Sequence, residues 1–178
     1  RDCVEAIETM RVRGAPLIGV TGAWAVALAV QENPENAALI PAAERIRNAR
    51  PTAVNLSWAV QRMLAALLPR EPALRAETAL RLAEEITQED VTLCRAIGEA
   101  GAGIIASLYR RLRRPVNVLT HCNAGWLATV DYGTALSPVY FAFDRGTPLH
   151  VWVDETRPRN QGLLTAWELA QQGVPHTI

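Results

Sequence analysis

Apolar positions recur at helical spacing through the first two-thirds of the chain. Val4, Ile7 and Met10 fall on one side of a first predicted helix over 4–10, with acidic residues outward. Arg11-Val12-Arg13-Gly14 breaks that pattern, and Pro16 suits the first turn of the next helix, where its missing N–H costs nothing. From Ala15 to Val30 there is no charged residue and small side chains dominate, which predicts a helix apolar all round and buried among its neighbours. A third helix is predicted over 37–48. Pro51-Thr52-Ala53-Val54-Asn55-Leu56 reads as a turn feeding a fourth helix to about Leu68, with Trp58, Met63 and Leu67 on its apolar side. Residues 73–109 are Ala/Leu-rich and helical, with a bend expected near Gly101 and Gly103.

The period changes around Arg111–Arg114. Val116-Asn117-Val118-Leu119 is short, apolar and β-branched, of the length of a buried parallel strand. A helix over 135–144, a strand over 149–153, a helix over 164–172 capped by Gly173 and a strand from Val174 complete the alternation. Strands and helices alternating at this spacing imply a parallel sheet with right-handed crossovers. The expected fold class is therefore α/β: a mostly helical N-terminal domain, 1–112, followed by the first part of a Rossmann-like parallel-sheet domain, 113–178. Both ends read as cut, since Arg1 enters a helical pattern directly and the last strand has barely begun.

Composition narrows the function classes. Lys+Arg and Asp+Glu number 18 each, so the net charge is zero and no basic excess points to nucleic acid. Three cysteines, an odd number without framework spacing, fit free thiols in a reducing compartment and a cytoplasmic protein. The longest charge-free apolar run, Ala15 to Val30, is shorter than a membrane span. No Cys/His set has zinc-site spacing, so no metal is expected. Neither a Gly-x-Gly-x-x-Gly nor a P-loop is present, so no bound nucleotide is indicated.

The chemistry-bearing residues gather after the first strand. Cys122 stands between His121 and Asn123 in a Gly/Ala-rich loop that leaves the carboxyl end of that strand, the edge at which open α/β sheets bind ligands. Reactive cysteines occupy such places, near helix termini or cations, whereas a buried inert thiol is the plainer alternative. His121 either orients or protonates a ligand, or satisfies local backbone groups. His150, Cys3 and Cys94 read as structural. The loop Asp154-Glu155-Thr156-Arg157-Pro158-Arg159-Asn160-Gln161-Gly162 leaves the second strand at the same edge, and its density of charge and amide favours substrate recognition. Arg13-Gly14-Ala15-Pro16 opens the apolar helix, where free N–H groups and the helix dipole favour an anion, against the plainer reading of a solvated helix entry. Arg50-Pro51-Thr52 puts a second arginine before a helix. Together these residues describe a cleft for a small, phosphorylated, hydroxyl-rich molecule around one thiol.

Several of these motifs, in this order, resemble those of methylthioribose-1-phosphate isomerases. They are Met10-Arg11-Val12-Arg13-Gly14-Ala15-Pro16-Leu17-Ile18-Gly19, Arg50-Pro51-Thr52-Ala53-Val54-Asn55-Leu56, Thr120-His121-Cys122-Asn123-Ala124-Gly125, Asp154-Glu155-Thr156-Arg157-Pro158 and Thr165-Ala166-Trp167-Glu168-Leu169. That family shares a superfamily with the α, β and δ regulatory subunits of a translation-initiation nucleotide-exchange factor. The resemblance implies isomerisation of 5-methylthioribose 1-phosphate to 5-methylthioribulose 1-phosphate in methionine salvage, by a homodimer without metal or organic cofactor. It implies that Cys122 is catalytic, that Arg13, Gly14 and Ala15 hold the substrate phosphate, and that Arg50 and Gln161 contact substrate. The family's acid–base aspartate lies in a Gly-Ala-Asp-Arg segment that these 178 residues do not contain. Where the family has Gln-Gly-Ala-Arg-Leu-Thr, this chain has Gln161-Gly162-Leu163-Leu164-Thr165, one residue shorter and without the arginine. The alternatives are a related sugar-phosphate isomerase of the ribose-1,5-bisphosphate type and a non-catalytic regulatory subunit. Retention of the cysteine motif weighs against the latter.

Overall fold

A computed structural model of the chain describes residues 2–178. It is α/β, with five helices before the first strand: α1 Asp2–Glu8, α2 Ala15–Glu32, α3 Asn36–Asn48, α4 Val54–Leu67 and α5 Pro72–Leu112. There follow β1 Val116–Thr120, a short 3-10 turn Trp126–Ala128, α6 Ser137–Asp144, β2 Leu149–Val153, α7 Gly162–Gln171 and β3 His176–Thr177. Two compact units divide between Asp90 and Val91, within α5.

In the first unit α2 is the central helix. Ile18, Ala23, Val26, Ala27 and Val30 are buried along it, and Leu39 and Ile46 of α3 and Leu56, Val60, Met63 and Leu67 of α4 complete the core. Its small residues are there for contact. A Cβ on Gly22 would lie 2.5 Å from Leu56 Cδ1, and one on Gly19 would lie 3.1 Å from the Asn55 carbonyl oxygen. By length and composition α2 and α5 both reach what a membrane-spanning helix needs, but half of the α2 stretch is buried inside the fold, as in a core helix. Trp58 corrects the expected apolar side of α4. It is 46% exposed, with the Arg62 guanidinium 5.5 Å from its ring centroid. The buried stripe runs through Leu56, Ala59, Val60, Met63 and Leu67, and a residue two positions from Leu56 points away from that stripe.

In the second unit the sheet has order β1-β2-β3, all parallel, with Val116 opposite Leu149, Thr120 opposite Val153 and Val151 opposite His176. Val116, Leu149, Val151 and Val153 pack with Ala102 and Ile105 of α5, Val139 and Tyr140 of α6, and Leu169 of α7. α5 runs as one continuous element through Gly101 and Gly103. Gly98 and Gly101 make room for α6, since a Cβ on either would run into Ser137, Phe141 or Pro138. The sheet also departs from a strand buried on both sides: Leu119 is 78% and Trp152 45% exposed. Alternate residues of a strand face opposite sides, and these 178 residues leave one side of the sheet uncovered.

Candidate functional site

β1 and β2 are parallel neighbours, so the loops after Thr120 and Val153 leave from the same edge. The ladder extends one step past the strands, because the Asp154 N–H donates to the Thr120 carbonyl at 3.0 Å. That step sets His121 and Cys122 beside Asp154–Thr156. Cys122 is half-buried and has φ 64°, the left-handed region that non-glycine residues rarely occupy. Two threonine hydroxyls hold it there. The Cys122 N–H donates to Thr156 Oγ1 at 2.7 Å, and Thr165 Oγ1 donates to the Cys122 carbonyl at 2.8 Å. Thr156 is fixed in turn, its own N–H donating to Asp154 Oδ2 at 3.1 Å. His121, with 75% of its side chain exposed, meets the same Oδ2 through Nδ1 at 2.7 Å. It therefore serves a carboxylate rather than local backbone groups.

Beneath the loop lies a buried acid. Glu168 has no exposed surface. Its Oε1 accepts from Asn123 Nδ2 at 2.7 Å and from the Leu127 N–H at 3.2 Å. Its Oε2 accepts from the Trp126 N–H at 2.8 Å and from the Tyr140 hydroxyl at 2.9 Å. Burial, with the nearby Glu168 charge and their hydrogen bond behind it, pushes the Tyr140 hydroxyl well above its usual range, so it stays a donor. Gly125 is glycine because a Cβ there would collide with the Glu168 carboxylate. Gly133, at φ 82°, packs against Gly125 in turn. Gln161, Thr165 and Glu168 are spaced four and three apart, which puts all three on one face of α7 and its entry.

Sequence reasoning gave no role to Thr165 or Glu168, although both stand in a quoted motif. An acidic residue in an amphipathic helix reads as solvated unless something else reveals its partners. Gln161, the residue that caps the amino end of α7, is half-buried, and its Oε1 is buried without a hydrogen-bond partner. It is an unpartnered acceptor at the end of the loop that favours substrate recognition in the sequence. Cys94 is buried, as a packing residue should be, while Cys3 is half-buried.

The predicted anion-binding residues lie in the first unit. Gly14 precedes α2 at φ 88°, a conformation suited to glycine, and no side chain caps the helix start. Its carbonyl accepts the Ile18 N–H at 2.9 Å. Arg13 is half-buried and Ala15 exposed. Arg50 is half-buried at the end of α3, and its carbonyl accepts the Ala53 N–H at 2.9 Å just before α4. The close approach of Gly19 to Asn55 puts the second turn of α2 against the first turn of α4. An open cleft of about 600 Å³ between α1, α2 and α3 contains none of these residues. Among the described residues, no group of three or more His, Cys, Asp or Glu side chains is arranged to hold a metal ion.

Comparison with known proteins bears on the whole arrangement. The family model described as Initiation factor 2 subunit family matches residues 11–178. A methylthioribose-1-phosphate isomerase of Methylorubrum populi is 58% identical over 178 residues, covering 99% of this chain and 49% of the relative. The crystal structure of 5-methylthioribose 1-phosphate isomerase from Pyrococcus horikoshii is 34% identical with a TM-score of 0.84, covering 99% of this chain and 50% of that one. That of translation initiation factor eIF-2B subunit delta from A. fulgidus is 41% identical with a TM-score of 0.76, covering 98% and 52%. This chain spans about half the length of the curated relatives it matches.

Proposed function

This chain belongs to the Initiation factor 2 subunit family, and from that premise we propose that it carries the thiol-bearing and phosphate-binding parts of an aldose–ketose isomerase. The substrate proposed is 5-methylthioribose 1-phosphate and the product 5-methylthioribulose 1-phosphate, a step of methionine salvage. The observation that carries this reading is Cys122, held at φ 64° on the carboxyl edge of a parallel sheet by the hydroxyls of Thr156 and Thr165. A backbone fixed in so rare a conformation aims one side chain, and strained residues of this kind cluster at functional sites.

The roles follow from the chemistry. C1 of the substrate is blocked as a phosphate acetal, so no free aldehyde is available for ordinary enolisation. An acid must help open the ring, and a proton or hydride must then pass between C2 and C1. In this reading Cys122 is the group of this chain that acts at those carbons. Gln161, whose Oε1 has no hydrogen-bond partner within the chain, is assigned to a substrate contact by the resemblance. Arg13, Gly14 and Ala15 hold the phosphate at the uncapped start of α2, where N–H groups and the helix dipole favour an anion. Arg50 supplies a second positive group. The resemblance assigns the partner acid–base group to an aspartate outside these 178 residues, so only the steps of this chain's own side chains are assigned. No metal or organic cofactor is required.

On the same reading, residues 1–112 bring the phosphate site and residues 113–178, a Rossmann-like segment, bring the thiol. The protein works in the cytoplasm as a homodimer. Exposed Leu93, Ile97 and Ile104 on α5 give such a dimer apolar surface to cover. The likeness to the A. fulgidus factor favours a second reading, a non-catalytic regulatory subunit. Phosphorus NMR of methylthioribose 1-phosphate incubated with the full gene product separates them. Replacement of the anomeric phosphate signal by that of the ketose 1-phosphate is the expected result. No conversion by folded protein, of this or of other sugar 1-phosphates including ribose 1,5-bisphosphate, would leave the regulatory reading in its place.

A further inference from the structure

We propose that Glu168 is a positioning residue for Cys122: the buried carboxylate on α7 fixes the loop through Asn123, Trp126 and Leu127 so that the thiol is presented in one orientation. The proposal rests on the reading of Cys122 as the reacting group.

A carboxylate without exposed surface is costly to bury unless its oxygens are fully hydrogen-bonded. Here each oxygen takes two donors. Three of the four come from the segment immediately after Cys122, and the fourth is Tyr140 of α6. With its lone pairs committed in this way, Glu168 has none left for proton transfer to a substrate, so its role is to hold. Its neighbour on the same helix face completes the grip. Thr165 donates to the Cys122 carbonyl and accepts from Asn123 Nδ2 at 3.2 Å. One face of α7 therefore reads two consecutive residues of the loop, Cys122 by its backbone and Asn123 by its side chain.

The chemistry of the pocket is specific to a carboxylate. All four partners are N–H or O–H donors in fixed directions. A carboxamide at the same place would turn an NH2 group against two of them. Glu168→Gln keeps the shape and removes the acceptor, which separates holding from filling. Glu168→Asp keeps the charge and withdraws it from the loop.

The test uses the full chain, with folding checked by circular dichroism. Alkylation of Cys122 by iodoacetamide is followed across pH by peptide mass spectrometry, with half-buried Cys3 of α1 as internal reference. Glu168→Gln should change the Cys122 rate about tenfold or more, the size expected when charge-assisted hydrogen bonds to a buried carboxylate are lost. Cys3 should keep its rate, and Glu168→Asp should fall between the two. In the full gene product, kcat should drop while KM stays near the wild-type value. A folded Glu168→Gln protein with an unchanged Cys122 pH profile and unchanged kcat would overturn the proposal. If that variant does not fold, Glu168→Asp decides by the same measurement, an unchanged rate again overturning it. Wild-type protein that turns nothing over would overturn the isomerase reading, while the alkylation comparison still decides what Glu168 does.

Discussion

The contact between α2 and α4 and the loop that carries Cys122 are both built on glycines that let another group come close, yet what comes close differs in kind. At Gly22 the neighbour is the buried side chain of Leu56, and at Gly19 it is the Asn55 backbone. At Gly125 the neighbour is the carboxylate of Glu168. The first contact is held by apolar burial, which is non-directional and tolerates small shifts. The second is held by hydrogen bonds with fixed directions, where a lost partner leaves a buried polar group exposed to its full desolvation cost. The α2–α4 region is thus built for stability and the Cys122 loop for geometry. Mutations should separate the two.

The largest effect on stability belongs to the apolar region. Leu56→Ala empties a fully buried position and should lower the unfolding free energy by about 2–5 kcal/mol, read by urea titration. Gly125→Ala forces a methyl into the Glu168 carboxylate and should cost about 1–3 kcal/mol. It should also alter the alkylation rate of Cys122, as Glu168→Gln does. A Gly125→Ala protein with wild-type stability and thiol reactivity would mean that the loop is not held by the acid. Tyr140→Phe removes one donor to Glu168 and should cost about 1 kcal/mol at neutral pH. Its pH dependence carries a sign. The Tyr140 hydroxyl titrates above its ordinary value of 10.0, so its contribution is present below that value and is lost as pH rises towards the folded one. Stability of the wild type should therefore fall more steeply above pH 10.0 than that of Tyr140→Phe, by urea titration at a series of alkaline pH values.

This contrast also explains how much of the molecule could be read from its residues. The charge-free run after Gly14, Pro16 at its start and the change of period after Arg114 located α2, β1 and the alternation that follows. Those signals report burial, and burial is what builds the elements. Trp58 was misread because its size suggested core while its position on the turn puts it outside the stripe of Leu56, Val60 and Met63. Leu119 lies on the side of the sheet that these 178 residues, about half the length of the curated relatives, leave uncovered. The loop with Cys122 was legible as a place, from a strand followed by small residues. What holds it was not. Thr165 and Glu168 lie more than forty positions from Cys122 and act through partners that no local pattern displays. Gln161 stood in a loop whose density of charge and amide already favoured substrate recognition, and its own role came from the resemblance; the buried, unpartnered oxygen became visible only in the fold.

Cys122→Ala in the full gene product tests the central claim most directly, with turnover of methylthioribose 1-phosphate followed by phosphorus NMR and binding by calorimetry on the same sample. A thiol held in place to react, and not to hold the substrate, predicts that turnover disappears while the affinity stays close to the wild-type value. Turnover that persists in Cys122→Ala would contradict the account.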